Sequence, residues 1–213
     1  MPETLWDRVG PDALLATLSG EERVRAGRLM FDEDHRGFVA AHHLARTTLA
    51  EHLARAPRAI AFRRGEGGRP ELADPDAELS FNISHTRGLV ACAVARGAVV
   101  GVDAEPIRHL PDVASLAARV MTRAERERLM ALPAGRRSEA FLRVWTAKEA
   151  YAKATGKGLS LPLPSVAIDA EQAPGAVLCA RTGDPLPGVG LSWHDAGPDH
   201  LLAIALIAPT GAP

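Results

Sequence analysis

Three short stretches of this chain carry side chains able to do chemistry together. The first is Gly101-Val102-Asp103-Ala104-Glu105, which closes an apolar run. Side chains alternate between the two faces of a strand, so Asp103 and Glu105 point one way while Val102 and Ala104 point the other. Two carboxylates on one face repel, and without a cation between them at least one should have a raised pKa. A hard cation such as Mg²⁺ would answer that arrangement; so would a solvated strand end, where acidic residues ordinarily sit. The second stretch is Trp145-Thr146-Ala147-Lys148-Glu149-Ala150-Tyr151-Ala152-Lys153, in which Glu149 shares a helix face with both Trp145 and Lys153. A surface Glu-to-Lys pair explains that spacing at about 0.3 kcal/mol, although the large ring of Trp145 points to a partly covered face. In the third stretch, Phe81-Asn82-Ile83-Ser84-His85 runs into Thr86-Arg87-Gly88. Ser84 and His85 both have hydrogen-bond donors for a phosphate oxygen, and a strand-end turn with a hydrogen-bonded histidine is the alternative. The other histidines, at 35, 42, 43, 52, 109, 194 and 200, lack metal-ligand spacing with a carboxylate or cysteine cluster and read as helix-surface or loop residues.

The elements that must position these groups follow from periodicity and punctuation. Residues 11 to 53 have a helical pattern, with Ser19 and Glu22 at capping-box spacing and Phe38, Ala41, Ala45 and Leu49 on one face. Gly65-Glu66-Gly67-Gly68-Arg69-Pro70 reads as a loop. Strands are expected at 79 to 84, 89 to 95 and 98 to 103, with Arg96-Gly97 as a hairpin turn, so that the three form an antiparallel meander. Helical patterns return at 113 to 121, 122 to 132 and 137 to 155, where Thr122 and Glu125 repeat the capping-box spacing and Gly156 supplies a stop. Strands are then expected at 166 to 169, 176 to 180, 189 to 193 and 201 to 208. The order of helices then strands occurs twice, which gives an α+β fold in two similar halves, 1–101 and 102–213.

The whole-chain figures exclude several classes. With 213 residues, 46% hydrophobic and 24% charged, the chain has ordinary globular composition. A formal net charge of -1 offers no overall field for nucleic acid or an anionic membrane. Cys92 and Cys179 sit in apolar stretches and read as packed thiols. The N-terminal MPETLWDRVG lacks the features of a signal peptide, and the apolar run 201 to 208 is too short to span a bilayer, so the cytoplasm is the expectation.

In order along the chain, GRP at 68–70, FNISH at 81–85, GVDAE at 101–105 and WTAKEAYAKATGKGLSLPL at 145–163 closely resemble the Sfp-type 4′-phosphopantetheinyl transferase family. The ordered set spans most of the chain, its last block is long and specific, and the length suits the double-domain type. The resemblance implies two α+β halves related by pseudo-twofold symmetry, a monomer, and coenzyme A in the cleft between the halves. Asp103, Glu105 and Glu149 match the family's metal-binding carboxylates, for Mg²⁺ or Mn²⁺. Lys153 matches the lysine that contacts the phosphates, and Ser84 with His85 matches the residues at the 3′-phosphate and diphosphate. Arg69 stands where many relatives carry a lysine near the 3′-phosphoadenosine end, and Arg36 resembles an arginine near the nucleotide. Arg23, Arg25 and Arg28 are the candidates for the other basic contacts of that region, with no motif to align them. Glu125 resembles an auxiliary base of some relatives, and its capping-box position explains it as well.

The implied reaction is attack by a carrier-protein serine on the β-phosphorus of coenzyme A, with Glu149 accepting the proton, Asp103 a pure ligand and Lys153 steadying phosphate. The implied partner is an apo acyl or peptidyl carrier protein, small and acidic, bound along 110 to 123, where Val113, Leu116 and Val120 have helical spacing and Arg119 and Arg123 offer charge; core packing is their other reading. A coenzyme A-binding protein of the same fold without transferase activity is the alternative. A different phosphotransferase should show a P-loop or kinase signature, and the sequence contains neither.

Overall fold

The computed structural model describes residues 2–65, 68–74, 78–170 and 175–209. Four helices come first: α1 (Pro2–Val9), α2 (Pro11–Thr17), α3 (Gly20–Ala26) and α4 (Asp32–Leu53). Strands β1 (Phe62–Arg64), β2 (Pro70–Leu72), β3 (Leu79–Thr86), β4 (Leu89–Arg96) and β5 (Val99–Pro106) follow. Helices α5 (Val113–Val120), α6 (Arg123–Ala131) and α7 (Ala134–Ala154) then precede β6 (Val166–Asp169), β7 (Ala176–Cys179), β8 (Val189–His194) and β9 (His200–Ile207). The architecture is α+β, with helices-then-strands occurring twice. No helix among the described residues is long and apolar enough to cross a membrane.

Both expected capping boxes form. The Ser19 hydroxyl accepts from the Glu22 amide while the Glu22 carboxylate accepts from the Ser19 amide, and Thr122 and Glu125 do the same. The first box divides the pattern expected over 11 to 53, because Ser19 starts a new helix and the chain leaves helical geometry again before α4. Helix α7 starts at Ala134 rather than at 137, directly behind Pro133, where a missing amide does no harm. Of the expected loop, Glu66 and Gly67 lie outside the described residues; Pro70 belongs to β2, which pairs with β1, two short strands that three-residue runs with two adjacent arginines did not announce.

The expected meander is incorrect in its third strand. β3 and β4 pair antiparallel along their full length, from Leu79 opposite Arg96 to Thr86 opposite Leu89. β5 pairs instead with β9, Val99 opposite Ile207 through Pro106 opposite His200, and β9 continues to β8. The turn at Arg96-Gly97 therefore hands the chain to another sheet. The physical reason is in β3, whose polar side chains occupy the donors that a β4–β5 hairpin or a β3–β5 ladder would have used.

Packing makes two layers that share an edge. Helix α4 lays Ala45 and Leu49 on Phe81, Leu72 and Ile60. Helix α7 lays Ala147, Ala150 and Ala154 on Ala203 and Ala205 of β9. Between them Ala91 and Ala93 of β4 meet Val100 and Val102 of β5. The small residues allow close backbone approach, and Gly101 shows how close: a Cβ there would collide with the Ala150 carbonyl and the Ala154 amide. Only glycine lets α7 lie on β5 at that distance. Since Gly101, Asp103 and Glu105 share a strand face, the same contact delivers both carboxylates to α7.

Candidate active site

β3 and β5 meet through side chains rather than a backbone ladder. Ser80, Asn82 and Ser84 accept hydrogen bonds from the amides of Val100, Val102 and Ala104, at 3.2, 3.0 and 3.2 Å. The polar alternation of the FNISH segment is thus a seam that joins the two strand groups, with Asn82 and Ser84 buried. Odd-numbered residues of β3 face α4 instead. The His85 ring rests against Gly37, where a Cβ would stand 3.4 Å from its Nδ1. Although solvent-accessible at the cleft, His85 has its pKa lowered by partial desolvation, then by Lys153 and His42, with Asp34 opposing.

Along α7 and β5 the functional groups line up in opposite chain directions. At one end the Trp145 indole donates to Glu105 Oε1 at 2.8 Å, and the Arg108 guanidinium donates to Glu105 Oε2 at 3.1 Å. In the middle Lys153 Nζ donates to Asp103 Oδ1 at 2.7 Å, to Ser84 Oγ at 3.1 Å and to the Val102 carbonyl at 3.1 Å. The Ser84 hydroxyl donates to the same Asp103 oxygen at 3.1 Å. All three lysine protons and one carboxylate oxygen are therefore committed.

What remains uncommitted is the informative part. Asp103 Oδ2 and Glu149 Oε1 are buried and have no hydrogen-bond partner. Burial raises the Asp103 pKa, Lys153 lowers it and Glu105 raises it further; the net effect is upward. For Glu149 burial again comes first, followed by repulsion from Asp103; Lys153 lowers the pKa, Glu105 adds repulsion, and the net is upward. An unpartnered buried carboxylate oxygen is costly, and two in residues that line one cleft leave it negative, with the Lys153 ammonium against them. Hard oxygen donors with uncompensated charge fit a divalent cation. Among the described residues no three His, Cys, Asp or Glu side chains are drawn together tightly enough to hold an ion. Both oxygens of Glu105 are held by Trp145 and Arg108.

A cleft of about 410 Å³ opens on these groups, lined by Ser84, His85, Asp103, Glu105, Glu149 and Lys153, and also by Arg25, Phe38 and His42 of the N-terminal helices. The structure thus brings six of the eight expected site residues to one cavity. Arg36 lies in an adjoining cavity of about 640 Å³ with His85 and Arg87, paired to Asp32 at 3.4 Å and set over the Trp6 ring. Arg69 does not line this cleft: its Nε donates to Glu71 at 3.0 Å and another guanidinium nitrogen donates to the Lys153 carbonyl at 2.6 Å. His42, expected on a helix surface, is buried, with Nδ1 3.0 Å from Glu22. Its signal was the capping residue Glu22, whose second role no local pattern reveals.

Lys148 was also missed. Fully buried, its Nζ has four acceptors at 2.8 to 3.0 Å, Glu125 Oε2 and the carbonyls of Val120, Leu163 and Val166, among which its three protons are shared. Glu125 Oε1 accepts from the Ile168 amide at 2.8 Å. Glu125 is therefore committed to its cap and this buried pair, which answers its two readings in favour of structure. The signal was legible: Phe141, Trp145, Lys148 and Ala152 form one helical stripe, which carries the lysine into the core.

The 4′-phosphopantetheinyl transferase superfamily model matches residues 99–205, and the model described as 4′-phosphopantetheinyl transferase, N-terminal, matches residues 8–96. The 4′-phosphopantetheinyl transferase HetI of Nostoc sp. is 41% identical over 149 residues, covering 69% of this chain and 63% of that protein. The 4′-phosphopantetheinyl transferase Sfp of Bacillus subtilis is 30% identical over 162 residues, 76% of this chain and 70% of that one. The 4′-phosphopantetheinyl transferase psf-1 of Bacillus pumilus is 30% identical over 195 residues, 92% of this chain and 81% of that one. The match thus spans less than two thirds of HetI's length and more than two thirds of the two Bacillus relatives. On those matches this chain belongs to the 4′-phosphopantetheinyl transferase superfamily.

Proposed function

We propose that this chain transfers the 4′-phosphopantetheine group of coenzyme A to a serine hydroxyl of an apo acyl or peptidyl carrier protein. The observation that carries the reading is the pair of unpartnered buried oxygens, Asp103 Oδ2 and Glu149 Oε1, beside Lys153 in the cleft that α4, β3, β5 and α7 enclose. The serine oxygen forms a bond to the β-phosphorus, the bond to the α-phosphate oxygen breaks, and 3′,5′-ADP leaves with that oxygen's electrons. Such transfers depend on position and on balancing charge over the phosphoryl oxygens. Lys153 Nζ supplies one positive charge. Glu149 takes the serine proton, directly or through an intervening water, from the helix face it shares with Lys153.

Asp103 and Glu149 would hold Mg²⁺ or Mn²⁺, with Glu105 joining when its oxygens leave Trp145 or Arg108, and the ion would balance diphosphate charge. Ser84 and His85 flank the diphosphate. The nucleotide extends from the cleft into a continuous cavity of about 500 Å³ that shares Arg25, Phe38 and His42 with it, while Arg36 and Arg87 face the other side of His85. We assign these nucleotide contacts to an N-terminal half, 1–101, and the carboxylate-bearing helix to a C-terminal half, 102–213. Two family models that meet between residues 96 and 99 support that division. Two free thiols, Cys92 and Cys179, suit the cytoplasm.

On the acceptor side, Val113 and Val120 pack against the core while Leu116 and Ile107 stay exposed, as do Arg119 and Arg123. These four are the proposed docking surface for an acidic carrier domain. Mass spectrometry of an apo carrier domain incubated with the protein, coenzyme A and Mg²⁺ tests the reading. A mass gain of one phosphopantetheinyl group on the carrier's serine is expected. An unmodified carrier across a panel of acyl and peptidyl carrier domains, with coenzyme A still bound, would favour a non-transferring coenzyme A-binding protein.

A further inference from the structure

Arg69 holds the most unexpected contact in the molecule. It stands just before Pro70 at the start of β2, and one guanidinium nitrogen donates to the main-chain carbonyl of Lys153 at 2.6 Å, across 84 residues of sequence. Its Nε donates to Glu71 Oε1 at 3.0 Å. Glu71 is pinned in turn: Arg63 pairs with its other oxygen at 3.0 Å, and its carboxylate lies on the backbone of Gly65, where any Cβ would collide with it. The carbonyl that Arg69 grips also accepts from the Gly156 amide at 3.2 Å, so the group under the clamp is the closing turn of α7. From the same residue Lys153 Nζ reaches Asp103, and one turn earlier stands Glu149.

Resting on the transferase reading above, we propose that Arg69 is a positioning residue. With Glu71 it clamps the β1–β2 hairpin onto the last turn of α7 and sets where Lys153 Nζ and the Glu149 carboxylate meet the bound diphosphate. The guanidinium fork suits this task because it donates in two directions at once from a planar group. A lysine at this position has a single ammonium and cannot reproduce that geometry, although as a point charge it still contacts a phosphate. The two roles therefore predict opposite outcomes for the same conservative substitution.

The test compares wild type, R69K and E71Q in steady-state transfer from coenzyme A to a recombinant apo acyl carrier domain, alongside amide hydrogen exchange of residues 150–157 in the same proteins without substrate. Small misplacement of reacting groups lowers turnover without weakening remote binding, so both variants should lose kcat by about tenfold while KM for coenzyme A moves by less than about twofold. Both should also exchange faster at the Gly156 amide, with the circular dichroism spectrum unchanged. R69K at the wild-type rate, a KM increase with kcat retained, or E71Q indistinguishable from wild type would each overturn the clamp. If wild type itself transfers nothing, the transferase reading fails separately. The clamp is then judged on exchange alone, where unaltered protection at Gly156 in both variants overturns it.

Discussion

At the residue scale, the cleft holds more negative charge than its own partners balance, and that has a cost the fold must bear. Glu149 Oε1 is buried without a donor and is repelled by Asp103. Replacing Glu149 by glutamine removes that repulsion, so in metal-free protein E149Q should raise the Tm by a few degrees, on the order of 1 kcal/mol, while transfer falls by at least about a hundredfold. A lowered Tm in calorimetry would show that the carboxylate was supporting the fold. Glu22 illustrates the opposite balance. Burial alone would raise its pKa, but hydrogen bonds from His42, Arg46 and the Ser19 amide outweigh burial and hold it at about 2, against 4.5 for a free side chain. A lowered folded-state pKa stabilises the protein fully above pH 4.5, and that contribution is lost as pH falls through 2. In urea titrations E22Q should cost about 3 kcal/mol at pH 7, with the gap from wild type closing on acidification. A pH-independent gap would assign the loss to packing rather than to charge.

At the element scale, α7 does the positioning, and it is fixed on two sides by residues that cannot be exchanged. Gly101 admits the backbone of α7, so G101A must push the helix away from β5, at about 1–3 kcal/mol, and carry Glu149 and Lys153 with it. Transfer should fall by more than the stability loss explains, measured at a temperature where the variant is fully folded. Lys148 anchors the other side of α7 by satisfying Glu125 and three carbonyls. K148M has a similar volume but strands a buried carboxylate, and should cost about 3–5 kcal/mol in urea unfolding. Near-wild-type stability would mean that Glu125 finds another donor. Most of these elements were legible in the sequence, because capping boxes and 3.6-residue periodicity are local signals. The partner of β5 was not: Val99 and Val100 read equally well beside β4 or beside β9, and only the seam formed by Ser80, Asn82 and Ser84 decides between them. The hairpin clamp was equally invisible, since nothing near Arg69 points to a carbonyl in a helix end on the other side of the cleft.

At the scale of the whole molecule, the cleft is completed by elements from both parts of one chain: Arg25, Phe38 and His42 from the first, Asp103, Glu149 and Lys153 from the second, joined across the β3–β5 seam. The lining of this cleft comes from one chain, so a single species of 22.6 kDa is the expected outcome of sedimentation equilibrium, and a dimer would count against it. The residues that resembled the family's motifs at the metal and phosphate do share this cavity, because each lies on a strand or helix whose period orients it. Arg36 and Arg69 do not, because loop ends and exposed helix turns leave a long side chain free to find other partners. On the transferase reading, Asp103 and Glu149 form one site for a divalent cation beside the diphosphate. Electron paramagnetic resonance of free Mn²⁺, titrated with protein in the presence of coenzyme A, counts such sites. One site per chain in wild type, lost in both D103N and E149Q, is the predicted result; undiminished Mn²⁺ binding in either variant would contradict it.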